Sequence, residues 1–308
     1  MNIPSLSRVR GLVTRMMYSP ILVNVVIVRR CNLSCGYCNE FDEGSKPVPF
    51  EVIDERLTKL RELGTFGMCI TGGEPTLHPD LPRLVSRCRE LGYIRTGMIS
   101  NGMLMKPELI HELNEAGLQE LQISIDGVHA NATTQKVLNN LKKRLGWLKE
   151  HARFNITVSG VIGACPPEEA FEVVDYANQL GFTPRISIVH DSSGRLSLGA
   201  DERRVFDRIT ERIPKTWMDF TNFRDQLIQD GRAPFKCRAG SRYLYVDENG
   251  IVTWCSQTRD GWKKPLADYT ADDLREQFYA YKSCQDTCTL GCVRQASQLD
   301  NWRAQARH

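Results

Sequence analysis

Between residues 21 and 189 the chain carries six short β-branched or apolar runs separated by five longer segments with apolar residues at helical spacing. The runs 21–28, 66–71, 95–100, 121–125, 155–162 and 185–189 read as strands, because branched and apolar side chains favour a pleated, buried surface. Segments 50–63, 81–91, 106–116, 137–151 and 167–180 read as crossover helices. Pro75, Pro79 and Pro82 crowd the loop after the second run and Pro166-Pro167 follow the fifth, where strands end and helices begin. A helix between each pair of strands returns the chain to the same edge in the same direction, so the sheet is expected to be parallel and curved, with helices outside.

Ligands of parallel α/β folds bind at the carboxyl ends of the strands. The chemically distinctive residues fall there. Cys31 follows the first run, Thr71-Gly72-Gly73-Glu74-Pro75 the second, Ser100-Asn101-Gly102 the third and Asp126-Gly127 the fourth. Cys165 follows the fifth and His190-Asp191 the sixth. Cys31-x3-Cys35-x2-Cys38 supplies three thiols, whereas a [4Fe–4S] cluster takes four, so one iron is left open to a reactant. A zinc site would want a fourth thiol or histidine, and none follows Cys38 within the next 30 residues. Gly72 and Gly73 fit a place where a side chain would obstruct backbone approach to a ligand.

The chain of 308 residues is 41% apolar, enough for one large domain or a large and a small one. A net charge of +3 with both signs mixed gives no argument for nucleic acid, and no apolar run is long enough to span a bilayer. Eleven cysteines without a secretion signal point to metal binding in a reducing compartment, hence to a cytoplasmic protein. Residues 5–17 place Leu6, Val9, Leu12, Val13 and Met16 among Arg8, Arg10 and Arg15. This reads as a basic amphipathic helix packed on the body of the protein, with membrane association as the weaker alternative.

After residue 190 the sequence turns polar and rich in Arg and Asp. From Cys237 onward five of the eleven cysteines appear. Cys237 and Cys255 bracket 243–246, Asp247-Glu248-Asn249-Gly250 and 251–254, which read as a hairpin with a tight turn. The hairpin brings these two cysteines together, and Cys284-x3-Cys288-x3-Cys292 completes a metal-like group, with a structural zinc as the competing occupant.

With Cys31-x3-Cys35-x2-Cys38 after one strand and Thr71-Gly72-Gly73-Glu74-Pro75 after the next, residues 20–190 resemble the radical S-adenosylmethionine (radical SAM) superfamily. The resemblance implies a [4Fe–4S] cluster whose open iron binds S-adenosylmethionine and cleaves it reductively to a 5′-deoxyadenosyl radical, which takes hydrogen from a substrate. It also implies that Gly72, Gly73 and Glu74 bind the methionine amino group, that Tyr37 lies by the adenine, and that Ser100, Asn101 and Ser124 contact ribose and carboxylate. The C-terminal part, including Gly250-x4-Cys255, is similar to the SPASM and shorter twitch extensions, which hold auxiliary [4Fe–4S] clusters. A full SPASM unit has seven cysteines. Five here imply one auxiliary cluster, with Cys237, Cys255, Cys288 and Cys292 as ligands and Cys284 as the spare or an exchanged partner.

The expected fold class is therefore α/β, a partial (β/α)6 TIM-like barrel with a small cysteine-rich SPASM/twitch-like extension. The expected divisions are an N-terminal helix (1–19), the barrel (20–190), a helical linker (191–232) and the auxiliary unit (233–308). The substrate is a small molecule or peptide, and the electron donor a flavodoxin or ferredoxin. The favoured outcome is oxidative, with the auxiliary cluster accepting an electron. The rivals are epimerisation or C–C/C–S coupling with Cys165 returning a hydrogen, and a non-enzymatic iron–sulfur electron carrier. Cys69 and Cys88 read as packing residues, and His190-Asp191 as caps or an acid–base pair. Only 30 residues precede Cys31, so no leader-peptide-binding domain is expected to be fused ahead of the barrel.

Overall fold

A computed structural model describes residues 17–188, 199–213 and 223–306. Its first half is a strict alternation: β1 (Leu22–Val28), α1 (Phe50–Glu62), β2 (Gly67–Gly72), α2 (Leu81–Glu90), β3 (Arg95–Ser100), α3 (Pro107–Ala116), β4 (Glu120–Ser124), α4 (Leu138–His151), β5 (Asn155–Ile162), α5 (Glu169–Leu180) and β6 (Thr183–Ile188). Each strand pairs in parallel with the next. Left-handed glycines end α3 and α5, Gly117 at φ 91° and Gly181 at φ 74°, a conformation closed to most side chains.

Alternation along each strand separates two faces. Val23, Val25 and Ile27 of β1, Met68 and Ile70 of β2, Met98 of β3, and Leu121 and Ile123 of β4 point outward. They are buried against Ile53, Leu57 and Leu60 of α1, Leu84 and Cys88 of α2, Leu113 of α3, and Leu141 and Leu145 of α4. Truncating any one of these leucines to alanine costs about 2–5 kcal/mol by lost transfer energy and the cavity left behind. The residues between them, among them Asn24, Val26, Cys69, Thr71, Ser124, Ser159 and Arg185, line the concave side.

The C-terminal part comprises α6 (Ala200–Thr210), α7 (Phe223–Asp230), β7 (Tyr243–Val246), β8 (Ile251–Thr253), β9 (Lys263–Pro265), α8 (Ala271–Tyr279) and α9 (Gly291–Gln298). Helices α6 and α7 pack Val205, Phe206, Ile209 and Ile228 on Ile186 and Ile188 of β6. The expected hairpin is present, but it is not an appended unit. β7 pairs in parallel with β1, Leu22 opposite Tyr243 through Val25 opposite Val246, and the whole sheet runs β6-β5-β4-β3-β2-β1-β7-β8-β9. β8 and β9 continue it antiparallel. The extension therefore shares backbone hydrogen bonds with the barrel. A reading of local spacing misses this pairing, because β7 lies far from β1 along the chain. Val26, Tyr243 and Tyr245 form a further core with Cys237, Cys255, Val293 and Ala296.

His190, Asp191 and residues 1–16 lie outside the described residues. Among the described residues no helix is long and apolar enough to cross a membrane.

Candidate active site

The loop leaving β1 carries Cys31, Cys35 and Cys38, with Cys35 buried and the others half-buried. Peptide N–H groups already point at two of the sulfurs. Leu33 donates to Cys31 Sγ and Glu40 to Cys38 Sγ, each at 3.4 Å. Asn101 Nδ2 lies 3.8 Å from Cys31 Sγ, and Thr134 Oγ1 3.8 Å from Cys35 Sγ. Burial pushes the Cys31 and Cys38 thiols up, with Glu74 adding to the rise at Cys31. Iron bound there would reverse that preference, since a cation favours the thiolate. Three thiols on one short loop, two of them already accepting N–H bonds, fit a thiolate-bound iron–sulfur cluster.

The loop is held from the β4–α4 connection. Gly36 N–H donates to Thr133 O at 2.9 Å, and the Tyr37 hydroxyl donates to Asp126 Oδ2 at 2.5 Å. Thr134 Oγ1 donates to the same oxygen at 2.8 Å, and Lys136 lies 3.6 Å from it and over the Tyr37 ring. Burial, then the Asp126 charge, raises the Tyr37 phenol well above its ordinary range, so it stays a donor. In sequence Asp126 is marked only as ending the fourth run, and no local signal marks Thr134 or Lys136 as loop anchors.

At the end of β2 the two glycines have a reason other than ligand access. A Cβ on Gly72 would stand 2.1 Å from the Val28 carbonyl oxygen, and one on Gly73 2.2 Å from that of Arg29. The glycines let the end of β2 pack against the base of the cysteine loop. Glu74 is 0% exposed. Its Oε1 accepts from Thr76 N–H at 3.1 Å, Thr76 Oγ1 at 2.6 Å and Ser100 Oγ at 2.7 Å, and its Oε2 accepts from Asn101 N–H at 2.7 Å. The carboxylate thus ties the ends of β2 and β3 together, and burial raises its pKa despite these donors. Asn101 turns its amide to Asn32 Oδ1 at 2.8 Å, beside Cys31. Ser124 stands on the concave face opposite Ser159.

Cys165 is wedged under the end of β4. A Cβ on Gly127 would lie 2.5 Å from the Cys165 Cβ, and Asn131 Nδ2 donates to its sulfur at 3.3 Å. Burial, with Glu169 and Asp126 nearby, pushes this thiol up to about 11. Cys88 is fully buried in the outer core, as expected of a packing residue, whereas Cys69 faces the concave side.

The five C-terminal thiols lie on three segments of this part. Cys284 and Cys288 flank one 3-10 turn, Gln285–Thr287, and Gln285 Oε1 from that turn accepts from Cys237 N–H at 3.3 Å. Burial pushes up Cys237, Cys255 and Cys288. Cys284 adds to the rise at Cys237 and Cys255, and Cys237 to that at Cys255 and Cys288. Cys292, at the start of α9, instead meets the Tyr243 hydroxyl and faces Arg185, with Cys69 as its neighbouring thiol. Spacing does not choose between Cys284 and Cys292, because both flank Cys288 at the same interval. Among the described residues no three His, Cys, Asp or Glu side chains converge as ligands of one metal ion.

The Radical SAM superfamily model matches residues 25–191. A probable GTP 3′,8-cyclase of Archaeoglobus fulgidus is 29% identical over 175 residues, which is 52% of this chain and 56% of that protein, so the match covers little more than half of the relative's length. A PqqA peptide cyclase of Xanthomonas campestris pv. campestris is 26% identical over 321 residues, 93% of this chain and 83% of that protein. Among solved structures, Streptococcus suis SuiB bound to precursor peptide SuiA superposes with a TM-score of 0.67 at 18% identity, over 88% of this chain and 68% of that one. At that identity the likeness is one of fold.

Proposed function

The chain belongs to the radical SAM superfamily, and from that premise we propose that it modifies a peptide oxidatively, with one cluster at Cys31, Cys35 and Cys38 and an auxiliary cluster in the C-terminal part. The observation that carries the reading is the cysteine loop itself, three thiols, two of them with peptide N–H donors in place, at the mouth formed by the ends of β2, β3 and β4. When bound, the cluster and S-adenosylmethionine supply the 5′-deoxyadenosyl radical that removes a substrate hydrogen.

The protein's part is to position and exclude. Glu74 locks β2 to β3 so that Asn101 faces Cys31, and Asp126 holds Tyr37 across the loop. In this reading Gly72, Gly73 and Asn101 bind the cofactor through backbone and amide, Ser124 lines its site, and Glu74 and Ser100 act as positioning residues. Cys237, Cys255, Cys284 and Cys288 are the proposed auxiliary ligands. A peptide substrate is supported by the peptide cyclase relative, which aligns over nearly the whole chain. The reductant would be a flavodoxin or ferredoxin in a reducing, cytoplasmic setting. A redox-neutral outcome is the second reading. Cys165 at the end of β5 and the concave-side thiol Cys69 support it, because a thiol there could return a hydrogen.

Anaerobic reconstitution tests the proposal. About eight irons per chain and 5′-deoxyadenosine after adding dithionite and S-adenosylmethionine are expected. A loaded protein that forms none would sink the enzymatic reading, and about four irons would sink the auxiliary cluster alone. Product mass then separates loss of two hydrogens from an isomeric product.

A further inference from the structure

The strand that joins the extension to the barrel also reaches into the cysteine loop. Tyr245, 2% exposed on the concave face of β7, donates its hydroxyl to Glu40 Oε2. Glu40 stands two residues beyond Cys38, and its own peptide N–H is the donor 3.4 Å from Cys38 Sγ. Arg259, in the turn after β8, lies 3.8 Å from the same carboxylate oxygen and is itself held by Glu248 at 2.5 Å. Arg29 donates to Asn39 O at 2.8 Å and reaches Glu248 at 3.7 Å. The peptide unit that donates to the cysteine sulfur is therefore gripped from both sides by groups anchored on the β7–β8 hairpin.

This grip is not an efficient way to gain stability. Glu40 Oε1 and Arg29 Nη1 are buried without a hydrogen-bond partner among the described residues, and a partly satisfied charge network is worse for stability than an apolar contact. What the network does supply is a fixed position for one N–H group. Hydrogen bonds to ligating sulfurs draw charge from an iron–sulfur cluster and favour its reduced state.

We propose that Tyr245 is a positioning residue for the cluster at Cys31, Cys35 and Cys38: by holding Glu40 it fixes the N–H···S hydrogen bond on Cys38 and raises the reduction potential of that cluster. The inference rests on the radical-site reading above. It makes the C-terminal part an electronic as well as a structural support of the reactive cluster.

The test compares Tyr245→Phe, which releases the carboxylate, with Glu40→Gln, which keeps an acceptor for the tyrosine but removes the charge. Reconstituted proteins matched for iron content are titrated with EPR detection, and the exchangeable proton coupled to the reduced cluster is followed by ENDOR in H2O and D2O. Tyr245→Phe is expected to shift the oxidised-to-reduced ratio at a fixed potential about three- to tenfold toward oxidised, tenfold being about 59 mV for one electron. It is also expected to weaken the proton coupling, whereas Glu40→Gln is expected to keep the coupling near wild type and to raise the potential through the lost charge. If Tyr245→Phe binds iron poorly, Arg259→Gln serves in its place and is expected to lower the potential by less. An unchanged potential and coupling in the variant that retains iron would overturn the proposal. A lowered potential in Tyr245→Phe with an unchanged proton coupling would also overturn it, showing that charge rather than the position of the N–H group sets the value. Failure of the wild type to bind iron at the triplet or to release 5′-deoxyadenosine would instead defeat the reading on which it rests.

Discussion

The two cysteine groups of this protein are assembled in opposite ways. Cys31, Cys35 and Cys38 lie within one loop, and short peptide N–H contacts shape their surroundings from residues next to them. Cys237, Cys255 and the pair Cys284 and Cys288, the proposed second group, come from three segments, brought toward one another by the β7–β8 hairpin and by the turn Gln285–Thr287, whose Gln285 accepts from Cys237. The first group is written in spacing, and the second depends on the completed fold. A site of the second kind fails when its scaffold fails, whereas a site of the first kind fails through its own loop.

The sharpest way to break this comparison is to remove one thiol from each group. Cys35→Ala is expected to abolish 5′-deoxyadenosine formation, by more than about a hundredfold, while the C-terminal iron stays, so that iron analysis falls by about four per chain. Loss of all iron would show that the two groups are not independent. Next in size, Cys284→Ala should lose the C-terminal iron and Cys292→Ala should keep it. The reverse result would restore the ligand set expected from sequence.

Gly73→Ala probes the contact beneath the loop. Its Cβ would meet the Arg29 and Arg30 carbonyls at 2.2 and 2.5 Å, and the backbone there can give way only by moving the cysteine loop. A loss of about 1–3 kcal/mol in denaturant unfolding is expected, along with slower iron loading at the triplet and not at the C-terminal group.

The smallest effect comes from a thiol in neither group. Burial pushes Cys88 up to about 12, against about 8.5 in an unfolded chain. Above pH 9 the unfolded state releases this proton and the folded state keeps it, so stability falls as pH rises. The slope approaches about 1.4 kcal/mol per pH unit from this one group. Cys88→Ala should flatten the alkaline fall by about that amount in urea titrations at pH 8 to 10. An unchanged slope would assign the alkaline sensitivity to the clustered thiols.

The strands and helices of the barrel were legible because each is fixed by its own apolar period and end signals. Their bounds match the pattern to within about two residues, for example 167–180 expected and Glu169–Leu180 found. The cysteine triplet and the Gly72-Gly73 pair were legible instead from their spacing and their place at strand ends. The role of the glycines was not, since the atoms a side chain would strike belong to β1. Glu74 marks the other limit. Sequence placed it at the site mouth, but only the fold shows its carboxylate turned inward to Ser100 and Asn101.

By itself, then, the sequence determined the parallel α/β alternation and a three-thiol loop at a strand end, because hydrophobic period and ligand spacing are properties of neighbouring residues. Only the tertiary structure decided that the extension continues the barrel's sheet, that Glu74 turns inward to Ser100 and Asn101, and that Tyr245 reaches Glu40. Those outcomes depend on pairing and packing between segments far apart in the chain. No local pattern encodes them, since the partner of each side chain is chosen when the sheet closes around it.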